Sequence, residues 1–247
     1  ELRRNPGTDS DRLGFGGGGG GGGGGGMLSG VPAIEWGKLF EPVACELYAR
    51  RTGATVREFG LLRHDSEPRL GASPDGITDE GVMLEIKCPY TRRITSEIPK
   101  AYWVQVQTQM EVAGLERCDF LECRFRAYGT LQEYLQDSDP EDPSRSISSG
   151  LERGLVFDDD ERVIIDSGDG AVARLYTGDC DGGATLWTLE IYDCKRVTRD
   201  PGFLESAAPV LRSATALLEE SVSAAASVTD TGAYKIAAAA SGTDSAG

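Results

Sequence analysis

Histidine is nearly absent from this sequence: His64 stands alone among 247 residues. That scarcity excludes zinc sites built on several imidazoles, and any imidazole-based hydrolysis would have to run through one residue. Six cysteines are present without a single CxxC pair, so the clustered spacing of an iron–sulfur or redox-motif protein is missing as well. Cys45, Cys88, Cys118, Cys123, Cys180 and Cys194 lie mostly in apolar patterns, and reduced thiols in an intracellular protein are the expectation. No apolar run approaches the roughly 20 residues that cross a bilayer, which excludes a membrane-spanning helix. The first residues, from Glu1 onward, hold no apolar signal core, so the sequence reads as a fragment without a secretory signal.

Basic residues are also in short supply, 25 against 40 acidic ones for a net charge of −15. A balance of that sign speaks against a nucleic-acid partner only if it is spread evenly, and it is not. Residues 131–200 carry 7 basic and 17 acidic groups, whereas residues 27–130 carry 13 and 15. The acidic excess is therefore expected to be a solvated, poorly ordered insertion at about 136–183, and the charge of 27–130 is left nearly neutral.

Organisation follows from composition and periodicity. Residues 1–26 are a polar stub ending in eleven consecutive glycines, too poor in apolar surface to offset their ordering entropy. From Ser223 on, 19 of 25 residues are Ala, Ser, Thr or Gly, which predicts a disordered tail over 223–247 with transient helix in its alanine runs. The folded unit is expected over 27–222. Ile34 to Arg51 spaces Trp36, Phe40, Val43 and Leu47 as one helical stripe, with Gly53 where a cap belongs. Ala54 to Leu62 and Val82 to Cys88 read as strands, and Pro99 to Ala113 as a helix closed by Gly114. Cys118 to Tyr128 and Ala184 to Tyr192 read as further strands, and Phe203 to Leu217 as a last amphipathic helix. That order predicts an α/β fold, a central mixed sheet flanked by helices.

The chemistry-bearing stretch is Ser73-Pro74-Asp75-Gly76 followed by Leu84-Glu85-Ile86-Lys87-Cys88-Pro89. Strand alternation points Glu85 and Lys87 one way and Leu84, Ile86 and Cys88 the other. Gly76 and Gly81 supply turns, so a hairpin would bring the Asp75 carboxylate beside Glu85. Two convergent carboxylates suit a hard divalent ion with oxygen ligands, Mg²⁺ above all when the substrate brings phosphate oxygens. A lysine beside them would orient or deprotonate a water, or neutralise charge at phosphorus. Acid-x-Lys alone is equally the mark of a surface ion pair, and it is the flanking motifs that lift it above that.

Those motifs, together with Tyr102-Trp103-Val104-Gln105-Val106-Gln107, resemble the YqaJ viral recombinase family of lambda-exonuclease-like proteins, within the PD-(D/E)XK nuclease superfamily. The resemblance runs from about Trp36 to Gly114 and resumes weakly from Trp187 to about Ser221. It implies a restriction-endonuclease-like core and a Mg²⁺-dependent deoxyribonuclease, with Mn²⁺ as a substitute, acting as a 5′ to 3′ exonuclease on duplex DNA ends. By the same resemblance Asp75 and Glu85 match the metal-binding carboxylates, the Ile86 carbonyl a further ligand, and Glu41 the helix glutamate that completes the acidic site. Lys87 matches the catalytic lysine and Gln105 the active-site glutamine. Ser73, Arg92, Arg93 and Lys100 are the expected DNA contacts, while Gln107 and Gln109 have no assigned role and His64 is read as structural. Implied partners are double-stranded DNA ends, a single-strand annealing protein, and two further copies of the chain in a trimer; none is a membrane.

Two departures stand beside the resemblance. Relatives carry an Arg and a Thr-Ala-Ser-like segment ahead of the Glu41 helix where this chain has polyglycine, and the acidic insertion is foreign to the compact phage enzymes. Alternatives are an endonuclease of the same superfamily, separable on closed circular DNA, and a non-catalytic DNA-binding or assembly module that binds without metal.

Overall fold

The first helix, α1 (Ala33–Thr52), forms on the stripe of Trp36, Phe40, Val43 and Leu47, all buried. It ends at Gly53, whose φ of 72° lets its N–H reach the Ala49 carbonyl. The structure is a computed structural model that describes residues 33–67, 70–158, 162–178 and 183–240, with side chains as far as residue 221. The segment 1–26, expected as disordered, lies outside the described residues, as does Cys180.

The stretch Ala54 to Leu62 is not one strand. It gives β1 (Val56–Arg57) and β2 (Leu62–Arg63), which join different sheets. Residues 58–61 between them are all exposed, so the pattern offers no continuous face to bury. β2 pairs with β3 (Gly71–Ala72) in a two-stranded sheet. β4 (Gly76–Thr78) turns into β5 (Met83–Lys87), antiparallel, with Gly76 opposite Leu84. α2 (Lys100–Ala113) then crosses over and delivers β6 (Arg117–Ala127) parallel to β5, as a crossover helix between parallel strands must. Gly114 caps α2 with a φ of 65°.

The remainder is α3 (Leu131–Gln136), β7 (Arg153–Phe157), β8 (Val163–Ile165), α4 (Ala171–Gly178), β9 (Ala184–Thr198) and α5 (Phe203–Ala240). Seven strands make one mixed sheet in the order β1-β4-β5-β6-β9-β7-β8. Among the described residues no helix is long and apolar enough to cross a membrane.

One expectation needs correction here. The acidic stretch 136–183 contributes β7 and β8 to the main sheet and packs Leu155, Phe157 and Val172 with Tyr128, Tyr134 and Leu186 into a separate cluster. Its acids serve as internal acceptors: Asp137 takes Arg126, Tyr128 and Ser148, and Asp166 takes Tyr134. The Ala-rich stretch after Ser223 continues α5 as helical backbone to Ala240, consistent with the high helix propensity of alanine.

Alternation along β5 and β6 divides the core between two faces. Leu84, Ile86, Cys88, Leu121, Cys123 and Phe125 pack under α1. Met83, Cys118 and Phe120 pack under α2 with Val106 and Met110. Further along the same α2-facing side the strands carry Glu85, Lys87 and Glu122 instead, so this face changes from apolar to polar halfway. The candidate site lies at that change.

Candidate functional site

With Gly76 opposite Leu84, the β4–β5 hairpin sets Asp75 against the end of β5, and the Ile86 N–H donates to Asp75 Oδ2 at 2.6 Å. A strand residue directs its N–H and C=O to the same edge, so the Ile86 carbonyl lies on the Asp75 side too. Gly76 is required at this corner: a Cβ there would come within 2.4 Å of Val56 Cγ1. The hairpin read from the two glycines is therefore present, and it joins Asp75 to the strand that carries Glu85.

Glu85 is 1% exposed, yet it is enclosed by polar side chains rather than by the apolar core. Its Oε1 accepts from Lys87 Nζ and, at 2.6 Å, from Gln105 Nε2, and its Oε2 accepts from Gln109 Nε2 at 2.9 Å. Gln105 and Gln109 are one turn apart on α2, so both amides descend on the same carboxylate. Gln109 Nε2 also approaches the Ser73 carbonyl at 3.4 Å, while its Oε1 is buried with no hydrogen-bond partner. Sequence reasoning had placed Gln105 here and left Gln109 open. Gln107 points elsewhere, donating to the Thr198 carbonyl and accepting from the Asp200 N–H to pin α2 to the end of β9.

Burial and charge together tune this pocket. Burial, then the proximity of Glu85, and further the charge of Glu41 on α1 push the Asp75 carboxyl up to about 7, against the help of the Ile86 N–H and Lys87. For Lys87, burial disfavours the ammonium, but the Glu85 carboxylate outweighs it and the pKa stands above the usual lysine value. Lys87 is thus a charged donor. Asp75 feels the charges of both Glu85 and Glu41, but among the described residues no three His, Cys, Asp or Glu side chains are gathered into a group that could hold a metal ion.

The expected DNA contacts differ in kind. Ser73, Arg93 and Lys100 are exposed. Arg92 is instead tied to the fully buried Glu122, with its guanidinium 5.3 Å from the Tyr102 ring centroid. Tyr102 packs partly against the α2-facing core, its ring tilted against Phe120 with centroids 5.8 Å apart. His64, read from the sequence as structural, has an Nδ1 that accepts from the Glu67 N–H at 3.0 Å and an Nε2 that is 3.7 Å from Glu111. Burial pushes the Cys88, Cys118 and Cys123 thiols up, so these side chains pack as small apolar groups.

Residues 23–116 match the YqaJ-like viral recombinase domain. The chain is 32% identical over 163 residues to the uncharacterized protein R354 of Acanthamoeba polyphaga mimivirus, over 57% of this chain and 30% of that protein. It therefore spans under a third of that relative's length. Two solved structures are similar, both with a TM-score of 0.48 over 81% of this chain. One is LHK-Exo in complex with dAMP, 24% identical over 74% of its chain; the other is an alkaline exonuclease, LHK-Exo, from Laribacter hongkongensis, 23% identical over 75%. The stretch that matches the YqaJ-like viral recombinase domain, 23–116, includes Glu41, Ser73, Asp75, Glu85, Lys87, Gln105 and Gln109.

Proposed function

We propose that this chain is a metal-dependent deoxyribonuclease, hydrolysing DNA phosphodiester bonds as a 5′ to 3′ exonuclease at duplex ends, with Mg²⁺ as its ion and Mn²⁺ as a substitute. The observation that carries the reading is the convergence on one buried carboxylate, Glu85, of a lysine and two glutamines, with a second carboxylate across the hairpin. A structural ion pair needs one partner. Four polar groups held at the end of a strand, inside a matched recombinase domain, is the arrangement of a worked site.

The donor set suits a hard divalent cation. Asp75, Glu85 and the Ile86 carbonyl offer only oxygen, Glu41 adds charge at longer range, and burial together with the neighbouring carboxylates holds the Asp75 carboxyl up to about 7. Asp75, Glu85 and Ile86 would hold the ion, and it would supply Lewis-acid polarisation of a phosphoryl oxygen and a lower pKa for water. The protein's own groups do the rest. Lys87, protonated, is the donor for the attacking water or for charge developing on phosphorus, and its pairing with Glu85 must loosen for that. Gln105 and Gln109 keep the carboxylate plane of Glu85 fixed while Lys87 turns away.

One observation favours a second reading, a binding or assembly module without hydrolysis: both oxygens of Glu85 already have protein donors. A time course with the full chain on linear duplexes labelled at the 5′ or the 3′ end, with Mg²⁺, with Mn²⁺ and with chelator, separates the two. Metal-dependent loss of 5′ label with closed circular duplex left intact is the expected result. Cleavage of closed circles would make it an endonuclease, and DNA binding with no turnover under any metal would leave only the module.

A further inference from the structure

Glu122 is a buried acid next to the candidate site, and nothing in the proposed chemistry uses it. It lies on β6 directly opposite Lys87 of β5, with none of its side chain exposed. Arg92 Nη2 pairs with its Oε1, and Lys195 Nζ from β9 pairs with its Oε2 at 3.0 Å. Lys195 also reaches Asp193 Oδ2 at 2.6 Å, and Arg124 Nη2 donates to the Arg92 carbonyl at 2.9 Å. Arg92 is thus held by its side chain and its backbone at once. Its guanidinium and the Lys87 ammonium stand 5.3 and 5.5 Å from the same Tyr102 ring centroid.

A buried carboxylate between two cations contributes little net stability compared with well-packed apolar residues, because desolvation consumes most of the attraction. Its value here is geometric. An arginine on an exposed loop would sample many rotamers and meet a phosphate only at an entropic cost. Arg92 keeps 34% of its side chain exposed while its inner edge is fixed, so its outer edge meets the solvent in one orientation.

We infer that Glu122 is a positioning residue that fixes Arg92 beside Lys87 as an oriented donor to a backbone phosphate of the DNA. This rests on the proposed nuclease reading and deepens it. Lys195 is the counterweight that takes the other Glu122 oxygen, so that Arg92 is not drawn fully inward.

The test uses the full chain in wild-type, R92A, E122Q, R92A/E122Q and E122Q/K195M forms. kcat and KM are measured on a linear duplex, Kd by anisotropy of a labelled duplex in chelator over a range of salt, and the folded fraction by urea titration. R92A should lose on the order of tenfold or more in kcat/KM and weaken duplex binding, with a salt slope smaller by about one phosphate contact. E122Q keeps the Arg92 charge, so its salt slope should stay unchanged while kcat/KM falls by on the order of tenfold. R92A/E122Q should be no worse than R92A alone. E122Q/K195M removes one charge of each sign from the pocket and should repeat the E122Q loss in a stably folded protein. Wild-type kinetics in E122Q and E122Q/K195M, or losses that multiply in R92A/E122Q, would overturn the positioning role and leave the nuclease reading standing. No hydrolysis by wild type, with duplex binding weakened alike in R92A and E122Q, would instead remove the nuclease reading and leave the oriented phosphate grip.

Discussion

Two acids, Glu85 on β5 and Glu122 on β6, lie one strand apart on the same side of the sheet, 1% and 0% exposed. Glu122 is answered by two cations, Arg92 and Lys195. Glu85 is answered by one, Lys87, and by two neutral amides, with Asp75 and Glu41 adding charge of its own sign. The first pocket is balanced and has no need of a further ion. The second is short of positive charge, and its neighbour Asp75 is held up to about 7 by burial first and by the charges of Glu85 and Glu41 after it. Burial alone would not have separated the two acids; the count of opposing charges does.

The sharpest way to break that contrast is to remove the machinery from the unbalanced side. Asp75→Asn and Lys87→Met should each lower metal-dependent duplex degradation by about 10³-fold or more while leaving a cooperative unfolding transition, since each deletes charge at the reacting centre. Degradation at the wild-type rate by either variant ends the nuclease reading.

Stability should rank the two acids in the reverse order. Glu122→Ala strands Arg92 and Lys195 without their shared partner, and, with Arg92 partly exposed, should cost about 2–4 kcal/mol in urea denaturation. Glu85→Gln relieves repulsion with Asp75 and should cost under about 1 kcal/mol in metal-free protein. Equal costs would mean that the charge count does not distinguish the pockets.

The same shortage has a pH signature. A carboxyl whose folded pKa is raised from 3.8 to about 7 keeps its proton in the folded chain where the unfolded chain has released it. Its penalty is absent below about pH 4, grows as pH rises, and is complete above about 7, so metal-free protein should lose of order 1–3 kcal/mol from this group across that window. Asp75→Asn should flatten that slope, and Mg²⁺ should raise Tm at pH 8 by several degrees more than at pH 5.5. A slope unchanged in Asp75→Asn would assign the pH dependence to other groups.

What was legible in the sequence follows the range of the interactions. The α1 stripe, the β4–β5 hairpin and the opposite facing of Glu85 and Leu84 are local, set by period, glycine and turn, and they read directly from Trp36 through Lys87. Glu122 did not read, because its role depends on which strand the α2 crossover delivers beside β5. In the sequence Glu122 is only an acid in an alternating strand, the usual mark of a solvated face. The acidic stretch misled for a related reason: composition counts Asp137 and Asp166 as solvated charges, and it cannot register that Tyr128, Tyr134 and Arg126 turn them inward.

The smallest effect belongs to the region farthest from both acids in chemical role. His64 sits in the loop after β2, where its Nδ1 accepts backbone N–H groups of Ser66 and Glu67 and so acts as a local cap. Its other nitrogen, 3.7 Å from Glu111, lies beyond hydrogen-bond distance, and Glu111 already has Arg199 at 3.1 Å. His64→Ala should therefore cost about 1 kcal/mol through the lost cap and leave kcat and KM on duplex DNA where they were. The measurement is more than a control. A sizeable fall in kcat with this variant would mean that the lone imidazole takes part in the chemistry, and the argument from opposing charges at Glu85 would then describe the wrong pocket.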